Sequence, residues 1–236
     1  MQYTLFIILA PLGAVTLLTL SLFVWRYRGI AGVPSFLWLV GGSLGWLVLN
    51  TLELLASTEA GTVALAKITY IFIMIAPLAW LAFALEYTGK SHWLTTRRFL
   101  PLCVIPTLTF LLAVTNDVHG LIWQSYEFRR VEGFLTMRVT AYGPGFWVYS
   151  AVAYTMIFIG AFLVAQEGIR AFKVYRWQSL SLLFGSITPV TANVIYILRL
   201  IPGLTKDFSP LSFALGGILY AIGLLRFQLF DLKPIA

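Results

Sequence analysis

Seven stretches of mostly apolar residues divide this chain, at 3–25, 34–56, 61–87, 98–115, 145–165, 179–198 and 209–225. Each is near the roughly 20 residues a helix needs to cross the ~30 Å hydrocarbon layer of a bilayer. In that layer backbone N–H and C=O groups must be satisfied without water, which a helix does within its own segment. Composition agrees. Of the 236 residues 60% are hydrophobic and 11% charged, whereas soluble domains carry about a quarter charged residues. The expected fold is an all-α membrane protein, one seven-transmembrane-helix bundle over 1–236.

The fourth and seventh stretches have the shortest uninterrupted apolar cores, and the fourth contains Pro101 and Pro106. Membrane helices tolerate proline where neighbouring groups re-satisfy the freed carbonyls. The first stretch is too long for a signal-peptide core and lacks a basic segment before it, so it reads as a true first helix.

Charge sets the orientation. Arg26, Arg28, Lys90, Arg97, Arg98, Arg170, Lys173, Arg176, Arg226 and Lys233 fall on one side, with Glu86, Glu167 and Asp231. That side carries +7, the whole net charge of the chain. The other side has five bases and five acids, Lys206 and Asp207 among them. Basic residues in short loops stay cytoplasmic, so the N-terminus is expected outside and the C-terminus inside. The basic excess is then a topology signal, and nucleic acid is not an expected partner.

Short connections predict antiparallel neighbours throughout. The exception is the outer loop 116–144. Trp123–Phe128 and Phe134–Thr140 alternate apolar and polar residues around Arg129–Gly133, the pattern of a β-hairpin; an irregular loop is the alternative. No internal repeat of the inverted-transporter kind is visible.

Ionisable residues inside spans are costly and mark candidate sites. Glu53 and Lys67 lie near the outer ends of the second and third helices. They read either as a salt bridge pinning the two helices or as the lining of an outward-facing polar cavity. Asn50 shares the face of Glu53, Tyr70 stands at i+3 from Lys67, and Asn193 and Tyr196 fall in the outer half of the sixth helix. Trp147 and Tyr149 begin the fifth helix on the same side, where such residues commonly anchor at the interface. Asn50, Glu53, Lys67, Tyr70, Trp147, Asn193 and Tyr196 form the candidate ligand-binding set. Gly41-x-x-x-Gly45 and Gly216-Gly217 permit close helix contact. Cys103 has no partner cysteine, and His92 and His119 lie on opposite sides, so no metal or other cofactor is expected. No phosphate-binding loop or nucleophile motif is present.

Several motifs occur together in order. They are Lys67-x-x-Tyr70 with Pro77-Leu-Ala-Trp80-Leu-Ala-Phe83-Ala-Leu-Glu-Tyr87-Thr-Gly89, Thr115-Asn116-x-x-His119-x-x-x-Trp123, and Gly143-Pro144-Gly145-Phe146-Trp147. Then follow Pro189-x-x-Ala192-Asn193-x-x-Tyr196, Phe208-Ser-Pro210, and Arg226-Phe-x-Leu-Phe-Asp231-Leu-x-Pro234-Ile-Ala. This series resembles the N-terminal seven-transmembrane sensor region of bacterial and archaeal histidine kinases. The resemblance implies a multi-pass sensor in a prokaryotic plasma membrane, followed in such kinases by cytoplasmic signalling domains. It implies a small-molecule or lipid ligand, contact with membrane lipids, a homodimeric full-length kinase, and a response regulator engaged only through the cytoplasmic domains. The phosphoacceptor histidine and ATP-binding lobe are expected outside these 236 residues, leaving a non-catalytic sensor portion.

A small transporter or channel is the alternative, but polar side chains crowd the outer half of the spans rather than tracing a full path. A retinal protein would need a lysine in the seventh helix, and 209–225 has none. A G-protein-coupled receptor of the eukaryotic type is disfavoured by the single cysteine and by Glu86-Tyr87-Thr88 where an acid–arginine pair would stand.

Overall fold

The computed structural model describes residues 1–170 and 173–227, with side chains at all of these except 173–175 and 221–227. The sequence motif from 228 to 236, with Asp231 and Lys233, lies outside the described residues, as do the side chains of Lys173 and Arg226.

The helices are α1 (Gln2–Trp25), α2 (Val33–Leu55), α3 (Glu59–Tyr87), α4 (Thr96–Val114), the single-turn α5 (Asn116–His119), α6 (Pro144–Arg170), α7 (Lys173–Ile197) and α8 (Ser209–Phe227). A hairpin, β1 (Trp123–Val131) and β2 (Phe134–Tyr142), stands between α5 and α6. Each expected span coincides with a helix. Six of them are long and apolar enough to cross a membrane, and Ser209–Tyr220 of α8 is a shorter apolar helix.

Local chemistry sets the ends. Gly32 takes the left-handed conformation (φ 88°) and Pro34 opens the first turn of α2, where its missing N–H is one that no helix satisfies anyway. At α3 the Thr58 side chain accepts from the Gly61 N–H, with Glu59 in the first turn, placing an acceptor and a negative charge on the positive end of the helix.

Successive long helices are neighbours, as the short connections predict, but one of them stands apart from the main ring. α1, α2, α3, α6, α7 and α8 pack in a closed ring, each against the next and α8 back against α1. α4 lies outside that ring against α3 and α6, and buries only Pro106, Thr109 and Ala113. The core runs through the ring, with Phe6, Phe36, Leu47 and Phe83 fully buried.

Close helix contact uses glycines in part different from those the sequence singles out. Gly41 faces open space, whereas Gly42 and Gly45 meet Ile75 and Phe72 of α3. The Gly41-x-x-x-Gly45 reading is therefore off by one at its first position, because i and i+3 share the α3-facing stripe here. Gly216 of α8 lies against the backbone of Gly185 in α7; a β-carbon there would sit 2.5 Å from the Gly185 carbonyl oxygen.

That carbonyl belongs to the residue four before Pro189. A proline inside a helix leaves such an oxygen without its usual donor. Pro77 does the same to Ile73 in α3, and there the Tyr149 hydroxyl of α6 donates to the Ile73 carbonyl at 3.0 Å.

The hairpin pairs Arg130 with Leu135 and Val131 with Phe134. Its turn is tighter than the five residues expected: Glu132 and Gly133 alone form it, at φ 55° and 86°, the two positive values a type I′ turn requires. Trp123, Tyr126, Met137, Val139 and Tyr142 pack on Ala66, Tyr70 and Phe146, closing one end of the ring. Asn116, 3% exposed, pins the hairpin's start. Its amide donates to the Trp123 carbonyl, and its oxygen accepts from the Ile122 and Trp123 N–H groups at 2.9 and 3.0 Å. His119 accepts from the Leu121 N–H, and the Leu121 carbonyl receives the Gly145 N–H at 2.9 Å. These bonds are the physical content of the Asn116–His119–Trp123 and Gly143-Pro144-Gly145 motifs.

Candidate ligand cavity

The ring encloses a cavity at its hairpin end, with about 210 Å³ of water-accessible space; a single water requires roughly 10–15 Å³. Its walls come from α2, α3, α6, α7, α8 and the hairpin. Along α2 it reaches from Glu53 to Leu39, roughly 21 Å at 1.5 Å per residue.

Five of the seven candidate residues line it: Asn50, Glu53, Tyr70, Asn193 and Tyr196. Two do not. Lys67 points away from it and donates to Asp117 at 2.6 Å. Trp147 is 47% exposed on the outer surface of α6, as an interfacial anchor would be. The Glu53–Lys67 salt bridge is therefore corrected: the two helices are neighbours, but the side chains leave on different faces. Tyr149 departs from the anchor reading in the other direction, being buried and part of the wall.

Two charged residues at the cavity are absent from the candidate set. Lys206 and Asp207 look like solvated loop charges between α7 and α8, yet Lys206 is only 7% exposed and Asp207 lines the cavity. The cause is Gln2 of α1. Its amide donates to the Gly203 carbonyl and Thr205 hydroxyl, and its oxygen accepts from the Thr205 and Lys206 N–H groups at 3.0 and 3.1 Å. The loop is thus folded back onto the ring, and the Lys206 side chain enters the bundle.

There the Lys206 ammonium donates to the Asn50 side-chain oxygen and lies 4.2 Å from the centre of the Phe6 ring. The Asn50 amide nitrogen in turn stands 3.5 Å from the Glu53 carboxylate. Asp207 accepts from the backbone N–H and hydroxyl of Ser209, Ser209 Oγ accepts from Asn193, and Asn193 accepts from Tyr154 at 2.8 Å. Burial lowers the Lys206 pKa, opposed by the nearby Glu53 and Asp207 carboxylates. Burial raises that of Asp207, opposed by the Ser209 hydrogen bonds and Lys206. Tyr142 on the hairpin is pushed up to about 12 by burial and by the Asp207 charge.

Deeper in the cavity the wall changes character. Trp46, Trp80, Phe213 and Tyr220 surround a mainly apolar space with Leu39, Ala76, Pro77 and Ile157. Trp80 is held by its indole N–H, which donates to the Ile157 carbonyl at 3.1 Å. The arrangement has a polar head and an aromatic body, and among the described residues no group of His, Cys, Asp and Glu is placed to hold a metal.

A family model for the N-terminal 7TM region of histidine kinases matches residues 9–234. The chain belongs to that family, and it is a multi-pass membrane sensor region. No curated protein matches it.

Proposed function

We propose that the chain senses a small molecule in the hairpin-end cavity and passes the event along α8 to a cytoplasmic kinase. The hairpin end faces outward from a prokaryotic plasma membrane. The opposite end, with Arg26, Arg28, Arg97, Arg98 and Arg170, faces the cytoplasm, in line with the retention of basic loops there. One observation carries the reading. Phe213 and Tyr220 of α8 line the same cavity as Glu53 and Asp207, so an occupant touches the helix that leads toward the output. A ligand shifts such an equilibrium only by binding one arrangement better than the other. In the full-length kinase the sensor works as a homodimer.

Orientation is tested with a Cys103→Ser background. Ser125→Cys reacts with a membrane-impermeant maleimide in intact cells, and Arg97→Cys reacts only after permeabilisation; the reverse pattern overturns the orientation. Filling the cavity with Ala153→Phe holds the parent kinase at one autophosphorylation level across growth media. A full graded response in that variant overturns the site.

A further inference from the structure

We infer that the cavity takes a cationic amphiphile, a protonated or quaternary amine carried on an apolar or aromatic body. This deepens the sensor reading above and rests on it.

The cavity wall holds two carboxylates, Glu53 and Asp207, and no Lys, Arg or His. Lys206 packs behind the wall, committed to Asn50 and to the face of Phe6, and among the described residues it forms no ion pair with either acid. An anionic ligand would therefore meet two carboxylates and no facing base. A neutral one would leave Glu53 and Asp207 to share the single positive charge of Lys206 in an enclosed space, a net negative charge that is costly there. An ammonium group resolves both.

The walls below the acids favour the same guest. Aromatic faces attract cations, most strongly where water is excluded, and Trp46, Trp80, Phe213 and Tyr220 supply them next to apolar surface. Two donors in this part of the wall are free to meet a guest. The Trp46 indole N–H and the Tyr220 hydroxyl, on side chains 8% and 4% exposed, make no hydrogen bond among the described residues. Neither polar atom is sealed off, and an ether or carbonyl oxygen on the ligand body would pair with them. Trp46 lies two turns below Glu53, roughly 10 Å along α2, which sets the spacing between amine and acceptor.

The test uses the whole chain in phosphatidylcholine nanodiscs and three probes of matched shape. They are phenylbutyl-trimethylammonium, its uncharged analogue with tert-butyl in place of trimethylammonium, and phenylpentanoate. Titration calorimetry is expected to show saturable binding of the quaternary amine, at least about tenfold weaker binding of the neutral analogue, and none of the carboxylate. Glu53→Gln and Asp207→Asn each weaken the amine by about tenfold, and Ala153→Phe abolishes it. Equal or tighter binding of the neutral or anionic probe, lost in Ala153→Phe, overturns the charge assignment and leaves the sensory cavity standing. Absence of saturable binding by all three overturns the cationic ligand and removes the support the cavity gives to the sensor reading. The comparison among probes is made on the unaltered chain, so it holds even if a variant fails to fold.

Discussion

Lys67 and Asp117 form an ion pair at 2.6 Å that ties α3 to the one-turn α5 outside the cavity. The Lys67 side chain is mostly covered while that of Asp117 is 61% exposed, so the pair is bathed by solvent on one side. Its role is to hold the hairpin's foot to the ring.

Lys67→Met is accordingly expected to cost at most about 1 kcal/mol, the range of exposed ion pairs, and to leave ligand binding unchanged. A double-mutant cycle with Asp117→Asn, followed by thermal unfolding in detergent, measures the coupling. Loss of ligand binding in Lys67→Met would return Lys67 to the site.

Tyr149→Phe leaves the Ile73 carbonyl without a donor in the ring interior, at a cost of about 1–3 kcal/mol. Pro77→Ala gives α3 back its own N–H at that position, so the double variant recovers most of the loss. Unfolding midpoints of the two single variants and the double variant decide it: additive losses would show that the phenol does not serve the proline.

Three glycine-to-alanine changes separate contact from composition. Gly216→Ala pushes a β-carbon into the Gly185 carbonyl, which is backbone and cannot swing aside. Gly45→Ala meets the Phe72 ring, and Gly41→Ala meets nothing within 4 Å. The first two are expected to destabilise by about 1–3 kcal/mol and Gly41→Ala by little. Thermal stability in one detergent ranks them.

Glu132 ties the hairpin turn to the start of α1. Desolvation raises its pKa, but hydrogen bonds from the N-terminal ammonium and from the Thr4 N–H and hydroxyl outweigh that and hold it at about 2, against 4.5 unperturbed. A depressed carboxyl contributes stability above its unfolded value and loses it as pH falls through the folded one. Hydrogen-exchange protection of the β1–β2 turn, taken relative to the intrinsic rate at each pH, should therefore fall between pH 4.5 and about 2, and Glu132→Gln should flatten that dependence.

The seven helices are legible from sequence because each must satisfy its backbone and apolar surroundings by itself, so every span carries its own signal. The hairpin is legible for a similar reason, since period-two alternation is local. The rotation of each helix is not. α3 is apolar nearly all round, and nothing in its pattern says that Tyr70 faces inward while Lys67, three residues away, faces Asp117. Nor can the sequence tell that α4 stands outside the ring, because a lipid-facing helix and a ring helix have the same composition. Lys206 and Asp207 were hidden most completely. Their burial depends on the Gln2 side chain, some two hundred residues away in sequence, and a charge pair in a polar loop normally reads as solvated.

Pro77 and Pro189 both stand in the cavity wall, and each interrupts its helix's own ladder at that depth. One gap is bridged by a phenol from α6 and the other is covered by bare glycine backbone from α8. The stiffness of α3 and α7 at these joints is thus on loan from their neighbours. A molecule lodged against the prolines presses where the barrel's staves are articulated, and bending there needs no broken rung within either stave.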